Sequence, residues 1–260
     1  MTAVPITDQV ARPGIYRRRF LIETGAGWAR ADMEDDVHAW GATLRHDGER
    51  IVAVEGRSPR TPWNLCDGAV AVLQRLVGMR LEPDPRAVYR QTDGKLQCTH
   101  LFETAGLAVA HAVRGTKRRV YDIEIPVETV HGPRRGTLRR DGTVVLSWTV
   151  AQNVVQEPEP YAGRDLRQIM PWAEAVLADP DVLEAVGLLR RAMKISDGRV
   201  YDMDRIERAD YFADQVMGGC FVFQPGVVER ARRNRGTVRD FSGSPDGLLS
   251  DLMSGDDPAA

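Results

Sequence analysis

Two Asp-Gly pairs, each lying between runs of alternating polar and apolar residues, constrain the fold of this chain more than any other feature. The pairs are Asp47-Gly48 and Asp141-Gly142. An Asp-Gly pair between two alternating runs is a strong signal for a tight β-hairpin, because both residues accept a positive φ. The four runs that would form the strands are residues 37–45, 50–55, 135–139 and 143–150. The sequence therefore predicts two antiparallel hairpins far apart along the chain.

Elsewhere in the chain, the apolar period changes from two residues to between three and four. Residues 69–78 and 98–113 show this spacing, which is typical of helices with one buried face. A third helical pattern covers residues 164–193, and Asp179-Pro180 divides it as an N-cap followed by proline at the first helical position. We therefore predict an α+β fold, with antiparallel hairpins packed with helices and a helical C-terminal part.

The chain has 260 residues, which is enough for one large domain or two small ones. We predict a flexible arm at residues 1–14 and an α+β core at residues 15–150 that holds the candidate site. Residues 151–240 are predicted to form a helical part packed on this core. Residues 241–260 are rich in Ser, Gly, Asp and Pro, so they are predicted to be a disordered tail.

Composition narrows the choice of partner and compartment. The formal net charge is −2 with acids and bases intermixed, so the basic surface of a nucleic-acid-binding protein is not expected. No run approaches the ~18 apolar residues of a membrane span, and the N-terminus lacks a signal-peptide pattern. Three cysteines, few and far apart, do not make a disulfide framework. We therefore expect a cytoplasmic protein with reduced thiols, a small-molecule substrate and a homodimer as the assembly to test.

The first candidate site residues are the acids and the histidine of Asp35-Asp36-Val37-His38. If the strand runs through them, its period of two places Asp36 and His38 on the same face. A carboxylate beside an imidazole can fix its tautomer, act with it as an acid–base pair, or share a metal with it. The alternative is a solvated acidic turn that leads into the strand.

Two cysteine segments supply the other candidates. Cys66 opens a helix, where the backbone N–H groups and the helix dipole favour a thiolate; alternatively, it is a buried thiol that packs under Trp63. Cys98 and His100 are two residues apart at the start of the next helix, so both can reach one zinc or iron ion. The alternative there is one buried cysteine beside one surface histidine. The remaining histidines, His46, His111 and His131, are weaker candidates.

The candidate groups all lie at ends of elements, and such ends can meet at one edge of an α+β layer. We expect Asp36 to act there as a ligand, a neighbour of the ligands or a base. The expected metal ligands for zinc or iron are His38, Cys66, Cys98 and His100. Arg57 and Trp63, in the segment that leads to Cys66, are the predicted substrate-binding residues. No nucleotide cofactor is expected, because the chain has no Gly-rich phosphate loop.

Three motifs together resemble DUF2889, a bacterial family defined only as a domain of unknown function. They are Asp-Asp-Val-His (35–38), Arg-Ser-Pro-Arg-Thr-Pro-Trp-Asn-Leu-Cys (57–66) and Cys-Thr-His-Leu (98–101). The helical segment 69–78 and the Leu-Arg-Arg-Asp-Gly…Trp segment at 138–148 fit this family too, so the likeness spans roughly residues 15–240. The resemblance supports the choice of residues and implies no activity.

A more distant likeness is to iron–sulfur scaffold proteins of the IscU kind. These proteins have a hairpin, then a cysteine that opens a helix, then a later ligand pair. This chain departs from them, because its hairpin offers Asp36 and His38 and its later pair is Cys98-x-His100. The departure disfavours cluster assembly and leaves a single metal ion open.

Three classes of function remain after these observations. The favoured one is a small-molecule enzyme, a lyase or hydrolase of a bacterial degradative or biosynthetic pathway, with metal assistance or with Asp36 and His38 as acid and base. The second is a non-catalytic metal or sulfur carrier or scaffold. The third is an adaptor module whose cysteines are buried.

Overall fold

An antiparallel sheet forms the centre of the structure, a computed structural model that describes residues 11–129 and 132–253. Within these residues the sheet has eight strands: β1 (Gly14–Gly25), β2 (Trp28–Asp35), β3 (Ala39–His46), β4 (Ile51–Arg60), β5 (Arg118–Val127), β6 (Arg134–Arg140), β7 (Thr143–Ala151) and β8 (Val154–Glu157). The predicted α+β class is confirmed.

The sheet consists of two meanders joined edge to edge. Its strand order is β4-β3-β2-β1-β5-β6-β7-β8, and β1 pairs antiparallel with β5, for example with Phe20 opposite Tyr121. Both predicted hairpins form, β3–β4 and β6–β7. Asp141 and Gly142 have φ values of 50° and 83°, which is the positive-φ geometry expected of an Asp-Gly hairpin turn.

Helices follow each meander. They are α1 (Ala69–Leu73), α2 (Val88–Gln91), α3 (Thr99–Arg114), α4 (Ile169–Val176), α5 (Pro180–Ile195), α6 (Ala213–Val216) and α7 (Ser250–Met253). As the sequence predicts, the Asp179 carboxylate caps the start of α5 by accepting from the backbone N–H of Asp181 at 2.8 Å. The helix α3 ends at Gly115, whose φ of 65° suits glycine.

The two long helices bury the core against the sheet. The helix α3 packs on β1, β2 and β3, and α5 packs on β5, β6 and β7. Arg114 of α3 makes ion pairs with Asp181 and Glu184 of α5, so the helices are neighbours over one face of the sheet. No helix in the described ranges is long and apolar enough to cross a membrane.

The C-terminal segment returns to the first meander. The backbone N–H of Leu249 donates to Glu34, and the carbonyl of Leu252 accepts from Arg30 at 2.6 Å. Residues 241–253, predicted to be disordered, therefore lie against β2 and its neighbours, because apolar side chains such as Leu252 are buried there. The remainder of the predicted tail and residues 1–10 of the predicted arm lie outside the described residues, as does His131.

Candidate functional site

The site begins at the tight connection between β2 and β3. Asp35 is the last residue of β2, and its Oδ1 accepts hydrogen bonds from the backbone N–H groups of Val37 and His38, each at 2.9 Å. A short carboxylate side chain that accepts from the backbone two and three residues later stabilises a turn. The chain therefore turns at Asp36 and β3 starts only at Ala39, so the predicted strand alternation that would place Asp36 beside His38 is wrong.

Asp35 is held by buried partners on β1. Arg18 lies opposite Asp35 in the strand register and donates from Nη2 to Oδ2 at 2.6 Å, and the Tyr16 hydroxyl donates to the same oxygen at 2.8 Å. Both Arg18 and Asp35 are completely buried. Burial alone would raise the pKa of Asp35, but His38 and Arg18 hold that pKa well below its usual value. Asp35 is therefore an ionised carboxylate at neutral pH.

The ionised carboxylate fixes the tautomer of His38. The Nδ1 of His38 lies 3.0 Å from Oδ1 of Asp35. Because an ionised carboxylate can only accept, Nδ1 carries the proton and donates it. Nε2 then keeps its lone pair, and it makes no hydrogen bond within the described part of the chain. The side chain of His38 retains 13% of its exposure, so this nitrogen belongs to a ring that solvent can reach.

His100 lies in the first turn of α3 and stacks on His38. The ring centroids are 3.8 Å apart and the planes differ by 24°. The Nε2 of His100 is buried and has no hydrogen-bond partner in the described residues. Burial lowers the pKa of His100 well below its usual value, and the nearby His38 and Arg18 lower it further. His100 is therefore a neutral imidazole at neutral pH.

The structure thus brings His38 and His100 together, as predicted from the sequence, with Asp35 beside them. One ligand atom from each of these three residues lies within 4.8 Å of the others. We call this group, Asp35, His38 and His100, the histidine centre. Sequence reasoning chose the neighbouring acid, although Asp35 carries a local signal: it precedes the backbone N–H groups of a tight turn.

The predicted ligands Cys66 and Cys98 are not part of the histidine centre. Both are free thiols in the hydrophobic core, with 8% and 7% of their surface exposed. Burial raises the pKa of Cys66 well above its usual value and raises the pKa of Cys98 to about 12. Both thiols are therefore protonated at neutral pH, whereas metal binding and nucleophilic attack require the thiolate.

Asp36, the predicted catalytic acid, forms a separate buried ion pair. Its carboxylate accepts from Arg199 and lies 3.5 Å from Arg12. Burial raises the pKa of Asp36 to about 7, against the opposing effect of Arg199. These contacts tie the β2–β3 turn to the 3₁₀ turn that follows α5.

The predicted substrate-binding residues make structural contacts. Arg57 donates to Asp32 at 2.7 Å and to the carbonyl of Leu252 at 2.9 Å. Trp63 is 4% exposed; its ring meets that of Phe212 edge-on, with centroids 6.4 Å apart, and the guanidinium of Arg233 lies 5.8 Å from its centroid. A role in substrate binding stays a prediction for both residues.

The family model of DUF2889, described as a protein of unknown function, matches residues 23–114. Over these residues the chain is similar to the DUF2889 family. The family resemblance predicted from the sequence is confirmed over this segment, whereas the IscU-like layout is not. All three residues of the histidine centre lie within the match, and so do Cys66 and Cys98. No curated protein and no solved structure matches the chain significantly.

Proposed function

We propose that the protein is a cytoplasmic small-molecule enzyme of lyase or hydrolase type, in which His38 transfers a proton at Nε2. The observation that carries this proposal is the hydrogen bond of 3.0 Å between Nδ1 of His38 and the buried carboxylate of Asp35. Such a carboxylate orients the imidazole, fixes its tautomer and stabilises the imidazolium that forms when Nε2 takes a proton.

His100 would act in the same centre as a hydrogen-bond donor to the substrate. A neutral imidazole can donate an N–H to an oxygen that gains negative charge during the reaction. Its buried Nε2 lacks a partner, so a substrate oxygen would satisfy it. In a lyase, His38 would remove a proton next to a carbonyl group that His100 polarises. In a hydrolase, His38 would activate the attacking water.

A metal-assisted form of this centre is the second candidate. Two imidazoles and one carboxylate are a ligand set for zinc or iron(II), and their ligand atoms already lie within 4.8 Å of one another. Elemental analysis of the purified protein separates the two forms. One zinc or iron per chain that is lost in His100→Gln would favour the metal, and full activity without metal would favour acid–base catalysis alone.

The state of the thiols supports the enzyme over the sulfur carrier. A carrier needs an accessible thiolate, because the thiolate is the form that attacks and binds metals. Cys66 and Cys98 are instead buried, and their pKa values are raised. Cys66→Ala should accordingly leave the enzymatic activity in place.

The decisive experiment measures turnover with the purified full chain and a panel of activated esters, thioesters and 3-hydroxyacyl compounds. His38→Gln and Asp35→Asn should each lower kcat/KM by about 10²- to 10⁴-fold, which is the usual contribution of a general acid–base group. His46→Gln, at the end of β3, is the matched control and should keep the wild-type rate. A folded His38→Gln variant with wild-type activity would reject the proposal.

A further inference from the structure

A cavity of about 570 Å³ is bordered by α3, α4 and α5, and none of the residues of the histidine centre lines it. This volume lies within the range of ~300–1,000 Å³ that is usual for small-molecule sites. Apolar side chains make up much of its wall, among them Leu107, Met170, Leu183 and Leu188. An apolar ligand or an apolar part of a ligand would suit these walls.

The charged residues of the cavity differ in how they are paired. Three of its arginines form ion pairs with carboxylates: Arg86 with Asp84 and Glu174, Arg114 with Asp181 and Glu184, and Arg191 with Glu103. Arg190 is the exception, because its Nε donates to the backbone carbonyl of Leu166 and it forms no ion pair in residues 11–129 and 132–253. One wall of an apolar cavity thus presents an arginine without a counter-ion.

The nearest carboxylate to act on Arg190 is Glu103, which is already paired with Arg191. Burial lowers the pKa of Arg190 and the adjacent Arg191 lowers it further, against the opposing effect of Glu103. The same causes act on Lys194 one turn later: burial first, then Arg190 and Arg191. An anion in this place would relieve the repulsion between these cations.

We infer that the cavity binds a small organic carboxylate with an apolar chain or ring, with the carboxylate at Arg190 and the apolar part against α3, α4 and α5. The planar guanidinium matches a carboxylate in a bidentate arrangement, and an apolar body would cover the leucine and methionine side chains. The inference concerns a site separate from the histidine centre and does not depend on its chemistry.

Gly187 of α5 offers a direct way to close this cavity. It lines the wall, and a Cβ added there would meet only the Cε of Met170, at 3.9 Å. A leucine at this position therefore has room for its Cβ and would extend its larger side chain into the space that a ligand would use. An alanine adds one methyl group and serves as the matched control.

Calorimetry with the full chain tests the site, using octanoate and 1-octanol as probes. Octanoate should bind at least about tenfold more tightly than octanol, and affinity should rise about fourfold per methylene from butanoate to octanoate. Gly187→Leu should weaken octanoate binding by more than about tenfold, while Gly187→Ala stays within about threefold of wild type. Arg190→Gln should lower the affinity for octanoate to that for octanol, and Arg190→Lys should restore part of it.

Absence of octanoate binding by the folded wild-type chain would overturn the inference. So would unchanged octanoate affinity in either Gly187→Leu or Arg190→Gln. If circular dichroism shows that Gly187→Leu does not fold, the comparison of Arg190→Gln with Arg190→Lys decides. His38→Gln should bind octanoate like wild type, so failure of this site and failure of the histidine centre give different results.

Discussion

Two buried carboxylates in this protein have the same three kinds of partner, one tyrosine, one arginine and one histidine. The partners of Asp35 are Tyr16, Arg18 and His38. The partners of Glu184 are Tyr121, Arg114 and His111. Each carboxylate receives hydrogen bonds that hold its pKa below the usual value although burial opposes this. The same three partner types therefore surround a buried carboxylate twice. One group lies near His100 at the start of α3, and the other includes His111 and Arg114 near its end.

The two groups differ in what their histidines can reach. His111 is completely buried on α3, and its Nε2 lies 3.0 Å from Glu184 of α5, which also accepts from Tyr121 of β5. That group joins two helices and the sheet. His38 instead lies in a turn, keeps 13% of its side chain exposed and leaves Nε2 without a partner in the described residues. Residue composition does not distinguish a structural group from a reactive one; access to a nitrogen lone pair does.

The largest expected effect is a contrast in stability between the two histidines. His111→Ala should lower the free energy of unfolding by about 2–4 kcal/mol, because it leaves a cavity and removes a partner of a buried carboxylate. His38→Ala should cost about 1–2 kcal/mol, because it also removes a partner of a buried carboxylate but leaves a smaller cavity, since its ring is partly exposed. Urea unfolding of both variants measures the difference. Equal losses of unfolding free energy in the two variants would show that the Asp35 group and the Glu184 group do not differ in their contribution to stability.

The next expected effect is a dependence of folding stability on pH that arises from His100. Its pKa in the folded state lies well below that of an unfolded histidine, about 6.5, so the unfolded state binds more protons as the pH falls. The contribution of His100 to stability should therefore be complete above about pH 7 and should fall by about 1.4 kcal/mol between pH 7.5 and pH 5.5. Asp36, whose pKa is raised to about 7, titrates in the same range with the opposite sign, so the effect of His100 is read as the difference between wild type and a His100 variant.

Urea unfolding of wild type and His100→Gln at both pH values tests this effect. The variant should lack this part of the loss of stability, whereas His46→Gln should retain it. A loss of the same size in His100→Gln and wild type would show that His100 accepts a proton in the folded state. His100 would then be an imidazole that titrates within the folded protein.

Local sequence signals were sufficient for the hairpins and for α3. The Asp-Gly pairs mark both turns, with a positive φ at Asp141 and Gly142 in one and at Gly48 alone in the other. Apolar spacing of three and four residues, with Gly115 after the last turn, defines α3 and its end. The pairing of β1 with β5 had no such signal, because it joins residues about a hundred positions apart and depends on long-range packing. The strand order of the sheet therefore cannot be predicted from the sequence alone.

The candidate site, like the fold, is only partly predictable from the sequence. His38 and His100 were chosen because imidazoles at element ends can converge, and they do. The sequence places Asp35 in the candidate segment, but the choice of Asp36 as the acid rests on an alternating strand that the turn interrupts. Arg18 is not predictable, because strand register cannot be read from one sequence. The cysteines were chosen for their chemistry, but burial in the folded chain decides whether a thiol ionises.

The smallest expected effect is a gain in stability from a substitution in α5, the helix that carries Glu184. Gly187 lies three residues after Glu184 in this helix, and a Cβ there meets only Met170, at 3.9 Å. Gly187→Ala should raise the free energy of unfolding by about 0.5–1 kcal/mol, since alanine is the better helix former. The pH dependence that arises from His100 should stay unchanged, because that residue lies on another helix. A stability gain accompanied by an altered His100 pH dependence would instead mean that α5 and the histidine centre are energetically coupled, and the two carboxylate groups could no longer be treated as independent.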